Sequence, residues 1–180
     1  YLTTVSSKIV CCAYDPEMMK SKKIGKIAFL FMPNKNNNKM SNAVQQHTIN
    51  GKYDGELRTT QTHNKSNVTI VTDAPTDNNG KGESFSPTDL IASALAGCIL
   101  TVAAIRAAEN NFDLGSPTFT IDKIMQSDPR KVKEIRVEIN FNSNFTDLQK
   151  RIIERAAKTC PVALSLHESI NQKIDFVYPN

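Results

Sequence analysis

Between Leu90 and Ile105 the chain carries no charged side chain, and apolar or small residues fall on every helical face. A helix that is apolar all round packs inside a core. Its start is marked by the residues before it. Ser86 is a good N-cap, Pro87 falls at the first helical position where its missing donor costs nothing, and Asp89 stands where the helix dipole favours negative charge. The run is too short and too alanine-rich to read as a membrane span. It reads as a central core helix with one thiol, Cys98, in its middle.

The flanking segments read as strands and one further helical region. Upstream, Tyr53–Arg58 and Val68–Asp73 are β-rich runs either side of a turn-like cluster, His63–Asn67, and predict a hairpin. A Gly/Asn loop, Thr76–Gly82, then leads into the central helix. Downstream, Asn110-Asn111 and Gly115-Ser116-Pro117 mark a connection to two strands, Phe119–Ile124 and Val132–Phe141. The second alternates at Ile135, Val137, Ile139 and Phe141, so one face is buried and one is wet. Asp128-Pro129-Arg130 is the turn between them. Leu148, Ile152, Ile153 and Ala156 recur at helical spacing after a start at Thr146 and Asp147. That helix stops or bends at Cys160-Pro161, because a residue before proline avoids the α region. A short helix over Val162–His167 and a strand over Lys173–Tyr178 follow. This order predicts an α+β domain over residues 48–180, with sheet against a long buried helix.

Residues 1–47 read as an N-terminal extension or linker. Ile24–Met32 is apolar but far too short to span a bilayer. Lysines at 20, 22 and 23 give it the look of a signal peptide, but the small-residue cleavage site is replaced by an Asn/Lys run. Met40 reads as a candidate true start with upstream sequence before it, Ser41-Asn42-Ala43 looks like the scar of a cleaved tag, and the alternative is a short accessory element packed on the domain. No role is assigned to Cys11-Cys12. The whole chain, at 22% charged and 39% hydrophobic residues, has the balance of a soluble globular protein. Its net charge of +4 comes without a dense basic stripe interleaved with aromatics, which argues against nucleic acid as a partner. There is no CxxC pair, and His47, His63 and His167 lie in no ligand spacing, so no metal and no cofactor is expected. Thiols on predicted helices suit a reducing, cytoplasmic setting.

The chemistry rests on two cysteines. Cys98 alone reads as a small core hydrophobe. Cys160, at a helix break, is the only other cysteine in the predicted domain. Two thiols so placed suit a peroxidatic and resolving pair, in which one becomes a sulfenic acid and the other condenses it to a disulfide. Such a thiol needs a nearby cation. Arg58 is the best candidate, against the alternative of an ordinary solvated strand arginine.

These residues resemble a known family, the OsmC/Ohr superfamily of organic-hydroperoxide reductases and their relatives. The resemblance rests on Ser86-Pro87-Thr88-Asp89-Leu90 with Cys98 eight residues after the leucine, and on Cys160-Pro161-Val162 after an amphipathic helix. Tyr53–Arg58 and Thr72-Asp73-Ala74-Pro75 look like its OsmC-like branch. The resemblance implies antiparallel sheets packed around a long buried helix, and an intertwined homodimer with two sites at the subunit interface. It implies attack on the hydroperoxide by Cys98, resolution by Cys160, an arginine steadying the thiolate, and reduction by dithiols such as lipoylated proteins. The family places a glutamate after the helix-opening proline to orient the arginine; here that residue is Thr88. The orienting acid is then Asp89, Glu83 or neither. With about 1.5 Å of rise per residue, Asp89 lies roughly 14 Å from Cys98 along the helix and serves it only through an arginine or from a partner chain.

Two function classes follow. One is a thiol-dependent peroxidase, with apolar surroundings favouring fatty or aromatic hydroperoxides. The other is a non-catalytic dimeric stress-associated or redox-sensing protein that holds an apolar molecule at its interface. A hydrolase is disfavoured, because neither His63 nor His167 is placed to activate Cys98.

Overall fold

The computed structural model describes residues 47–179. The N-terminal segment before them, with Cys11-Cys12, lies outside the described residues. The first sheet is an antiparallel meander of β1 (Ile49–Gly55), β2 (Arg58–His63) and β3 (Thr69–Asp73), in that order. The stretch Tyr53–Arg58, expected as a single strand, contains a turn. Glu56 and Leu57 have φ of 51° and 63°, and Gly55 pairs across them with Arg58. Two successive residues of positive φ are what a two-residue primed hairpin turn requires. The apolar Leu57 hides that turn from a hydropathy reading.

Helix α1 (Pro87–Glu109) starts as predicted and runs longer. Ser86 and Asp89 form a reciprocal cap: the Asp89 N–H donates to Ser86 Oγ at 3.1 Å, and the Ser86 N–H donates to Asp89 Oδ2 at 2.8 Å. Ala92, Leu95, Ala96, Ile99, Ala103 and Ala107 form its buried stripe. The helix is not buried on all sides, as the sequence suggested. Ile91 and Ile105 are 41% and 51% exposed, and Gly97 and Thr101 lie open between them. Among the described residues, α2, α3, β4 and β5 pack on α1, and its buried side chains form a single stripe. At 23 residues α1 is also long and apolar enough to cross a membrane by length and composition, so the expectation that it is too short gives way. What places it in a core is the packing of that buried stripe.

The second sheet holds β4 (Thr118–Ser127), β5 (Arg130–Asn140) and β6 (Asn171–Val177), in that order. β4 and β5 are antiparallel, joined at Asp128-Pro129. β6 departs from the expected antiparallel pattern and pairs parallel with β5. A parallel neighbour needs a crossover, and α2 (Asp147–Thr159) with α3 (Pro161–Ser165) supplies it. α1 packs on β4 and β5 and against α2 and α3. Leu95, Ile99, Ile135, Ile139 and Ile153 have no exposed surface. Each such side chain contributes roughly 1.5–3 kcal/mol by leaving water.

Candidate functional site

The two thiols meet where α1 passes the junction of α2 and α3. Pro161 forces Cys160 out of the helical region, to φ −68° and ψ 137°. Cys160 thereby ends α2 and caps α3, its Sγ accepting the Ala163 N–H at 3.2 Å. It is fully buried, while Cys98, midway along α1, is half-buried. Both thiols are free, and Cys98 is close enough to Cys160 to bear on its proton affinity. Burial pushes the Cys160 thiol above its ordinary value; the Ala163 N–H opposes this, and the neighbouring Cys98 adds to it. At neutral pH, then, Cys160 is a protonated thiol. Cys98 is the more exposed of the two sulfurs.

Arg58 opens β2, and its register partner on β3 is Asp73. The guanidinium donates from Nη2 to Asp73 Oδ2 at 3.2 Å and also pairs with Glu83. Asp73 has no exposed surface, and its Oδ2 accepts the Glu83 N–H at 2.9 Å. That amide hydrogen bond, followed by Arg58, holds the Asp73 carboxyl below its usual 3.8 despite burial. Two carboxylates therefore clamp one arginine at the N-terminal approach to α1. Asp73 was not anticipated: a Thr-Asp pair at a strand end looks like a solvated turn, and only the β2–β3 register reveals its partner.

Asp89 does not meet Arg58 in this chain. Its Oδ1 lies 2.6 Å from Lys123 Nζ, and its Oδ2 accepts from Ser86. Burial raises the Asp89 carboxyl, but the Lys123 and Ser86 hydrogen bonds outweigh it and hold the group below 3.8. Lys123, on β4, also donates to Thr88 Oγ1 at 2.8 Å. Position 88 thus offers a hydroxyl to a lysine, and the carboxylates on Arg58 come from Asp73 and Glu83. Lys123 was missed as well, since an alternating strand gives no sign of which helix end it reaches. Within one chain the structure brings Cys98 and Cys160 together but leaves Arg58 at the end of α1, about three turns from Cys98. His63 and His167 are exposed and hydrogen-bond local serines, Ser66 and Ser169.

Residues 80–175 match a family model described as OsmC-like protein. The chain is 45% identical to a Psychrobacter arcticus protein of known crystal structure, named there as a candidate osmotic stress induced and detoxification response protein. That match covers 73% of this chain and 96% of the other, with a TM-score of 0.70. At 15% identity the fold matches an organic hydroperoxide resistance protein OsmC from Legionella pneumophila, over 73% of this chain and 97% of that one, with a TM-score of 0.60. At 13% identity it matches the organic hydroperoxide resistance protein OhrB of Bacillus subtilis, over 74% and 99%, with a TM-score of 0.53. No curated protein matches the sequence.

Proposed function

The chain belongs to the OsmC-like family, and on that premise we propose that it is a thiol-dependent peroxidase of organic hydroperoxides. The observation that carries this reading is the pair of free thiols, Cys98 on α1 and Cys160 at the α2–α3 junction, placed as neighbours. The Cys98 thiolate attacks a peroxide oxygen, the O–O bond breaks, and the alcohol leaves with a proton. Cys98 is then a sulfenic acid. The Cys160 sulfur attacks it, the S–O bond breaks, and water leaves with the Cys160 proton as the disulfide forms. A dithiol reductant, itself oxidised to a disulfide, restores both thiols. Such a cycle belongs to a reducing cytoplasmic compartment.

The active form in this reading is a homodimer. Supporting it are the open apolar face of α1 and the exposed Ile49, Tyr53, Val68, Ile70 and Val71 of the first sheet and its turn. A dimer that covers these surfaces brings the Arg58 clamp of one chain to the thiols of the other and supplies the cation that a reactive thiolate needs. The same separation of Arg58 from Cys98 within one chain, with Thr88 in place of a glutamate, favours a second reading: a dimeric redox-sensing or binding protein without turnover.

Intact mass and thiol titration, before and after equimolar cumene hydroperoxide, separate the two. The wild type is expected to lose two thiols rapidly and gain a Cys98–Cys160 link, and Cys98→Ser to keep its Cys160 thiol. Unchanged thiols after prolonged exposure would leave the second reading in place.

A further inference from the structure

On the outer side of the α2–α3 junction that holds Cys160, α2, α3 and β6 bound an open groove of about 780 Å³, and Ala163, the donor to Cys160 Sγ, is part of its lining. Its apolar lining comes from Ala157, Leu164, Ile174 and Phe176, and one wall is cationic, from Arg151, Arg155 and Lys158 of α2. Leu164 is 71% exposed, more than any other large hydrophobic residue among those described. Neither the charges nor the leucine is accounted for by the thiol chemistry.

Spacings of four and three residues put Arg151, Arg155 and Lys158 on one face of α2, along about 10 Å of helix axis. None of the three makes an ion pair among the described residues. Glu154 is the one acid lining the groove, and Tyr178 donates its hydroxyl to it at 3.4 Å. Like charges one turn apart on a helix destabilise it. Glu154, one turn from both Arg151 and Lys158, offsets part of that repulsion, and the groove still keeps three cations to one acid beside an exposed leucine.

We propose that this groove docks an acidic protein segment bearing an apolar anchor residue. A single carboxylate or phosphate reaches one or two of the cations, whereas a row of three over about 10 Å matches successive acidic side chains of a polypeptide. An extended nucleic acid strand would favour aromatic stacking platforms, and the two aromatic side chains here, Phe176 and Tyr178, are half-buried. The anchor packs on Leu164 and Phe176 while the acids meet the α2 cations. This surface stands independently of the peroxidase reading.

The test uses the full chain and two fluorescein-labelled peptides, one with several glutamates around a central leucine and one with lysines in their place. Anisotropy titration at low and physiological salt is expected to show the acidic peptide binding at least ten-fold more tightly, with an affinity that falls as salt rises. Arg151→Glu/Arg155→Glu should abolish or invert that preference. Leu164→Ala should weaken binding several-fold with the salt dependence unchanged. Circular dichroism and thiol counts verify that each variant is folded, and Leu164→Ala gives a test that leaves the charges intact. Equal binding of the two peptides, or binding indifferent to charge reversal, would overturn the proposal. So would full competition by inorganic phosphate with no effect of Leu164→Ala, which describes a small-anion site. A change of oligomeric state on charge reversal would likewise overturn it, by showing that a second copy covers the groove.

Discussion

Asp73 Oδ1 and Arg58 Nε are both buried and face no partner among the described residues, although the two side chains are paired through other atoms. A buried carboxylate of this kind is tied to acid stability. Its folded-state affinity for protons lies below the unfolded value, because the Glu83 N–H and Arg58 favour the charged form. The stabilisation is therefore fully present above the unfolded pKa, near 4, and is lost as pH falls through the lower folded value. Asp89, held down by Lys123 and Ser86, acts in the same direction. Thermal unfolding of the wild type should give a Tm that is flat from neutrality to about pH 5 and falls steeply below about pH 4. Asp73→Asn should lower the Tm at neutral pH and flatten the acid slope; an unaltered slope would remove Asp73 from the account. Glu83→Gln should do less, since its carboxylate is 61% exposed and solvent screens its pairing with Arg58.

At the scale of elements, the two helix starts carry reciprocal caps, Ser86 with Asp89 and Thr146 with Gln149. Thr146→Ala should cost about 1 kcal/mol, and Ser86→Ala up to about 2 kcal/mol. The difference arises because Ser86 Oγ is buried and also accepts from Lys123 at 3.1 Å. Urea unfolding reads both as a shifted midpoint with an unchanged slope. These caps were legible in the sequence because a cap is local: the donor, the acceptor and the apolar run behind them lie within a few residues. The helix break at Cys160-Pro161 and the wet and dry faces of β5 were legible for the same reason. The turn at Glu56-Leu57 was not, since neither residue announces positive φ. The parallel pairing of β6 was not, since alternation marks a strand but not its direction. Asp73 and Lys123 stayed hidden because their partners are set by sheet register and by docking of α1 on β4. The likeness of the two cysteines to a known family identified the fold before any of these details, yet it could not show which acid holds Arg58.

For the whole molecule, the open face of α1 makes a sharp prediction at Gly97. A Cβ there meets nothing within 4 Å in the single chain, and glycine in a helix interior costs about 1 kcal/mol relative to alanine. A larger side chain should thus be harmless or stabilising in a monomer. If two copies of α1 pack together on this face, Gly97→Leu instead forces them apart. Sedimentation should show a wild-type dimer and a Gly97→Leu protein shifted toward monomer; a monomeric wild type, or a dimer indifferent to the change, would place the interface elsewhere.

The two thiols also sit far apart along the chain, one within α1 and one beyond α2. A bond between them would close a loop of about sixty residues and, on the chain-entropy account, remove freedom worth about 4 kcal/mol from the unfolded chain. Turnover would then carry a mechanical signature. The molecule that has just spent its thiols would be stapled across its core, and the one ready to react would be the softer of the two. Reduction would return reactivity and give up that toughness in the same event.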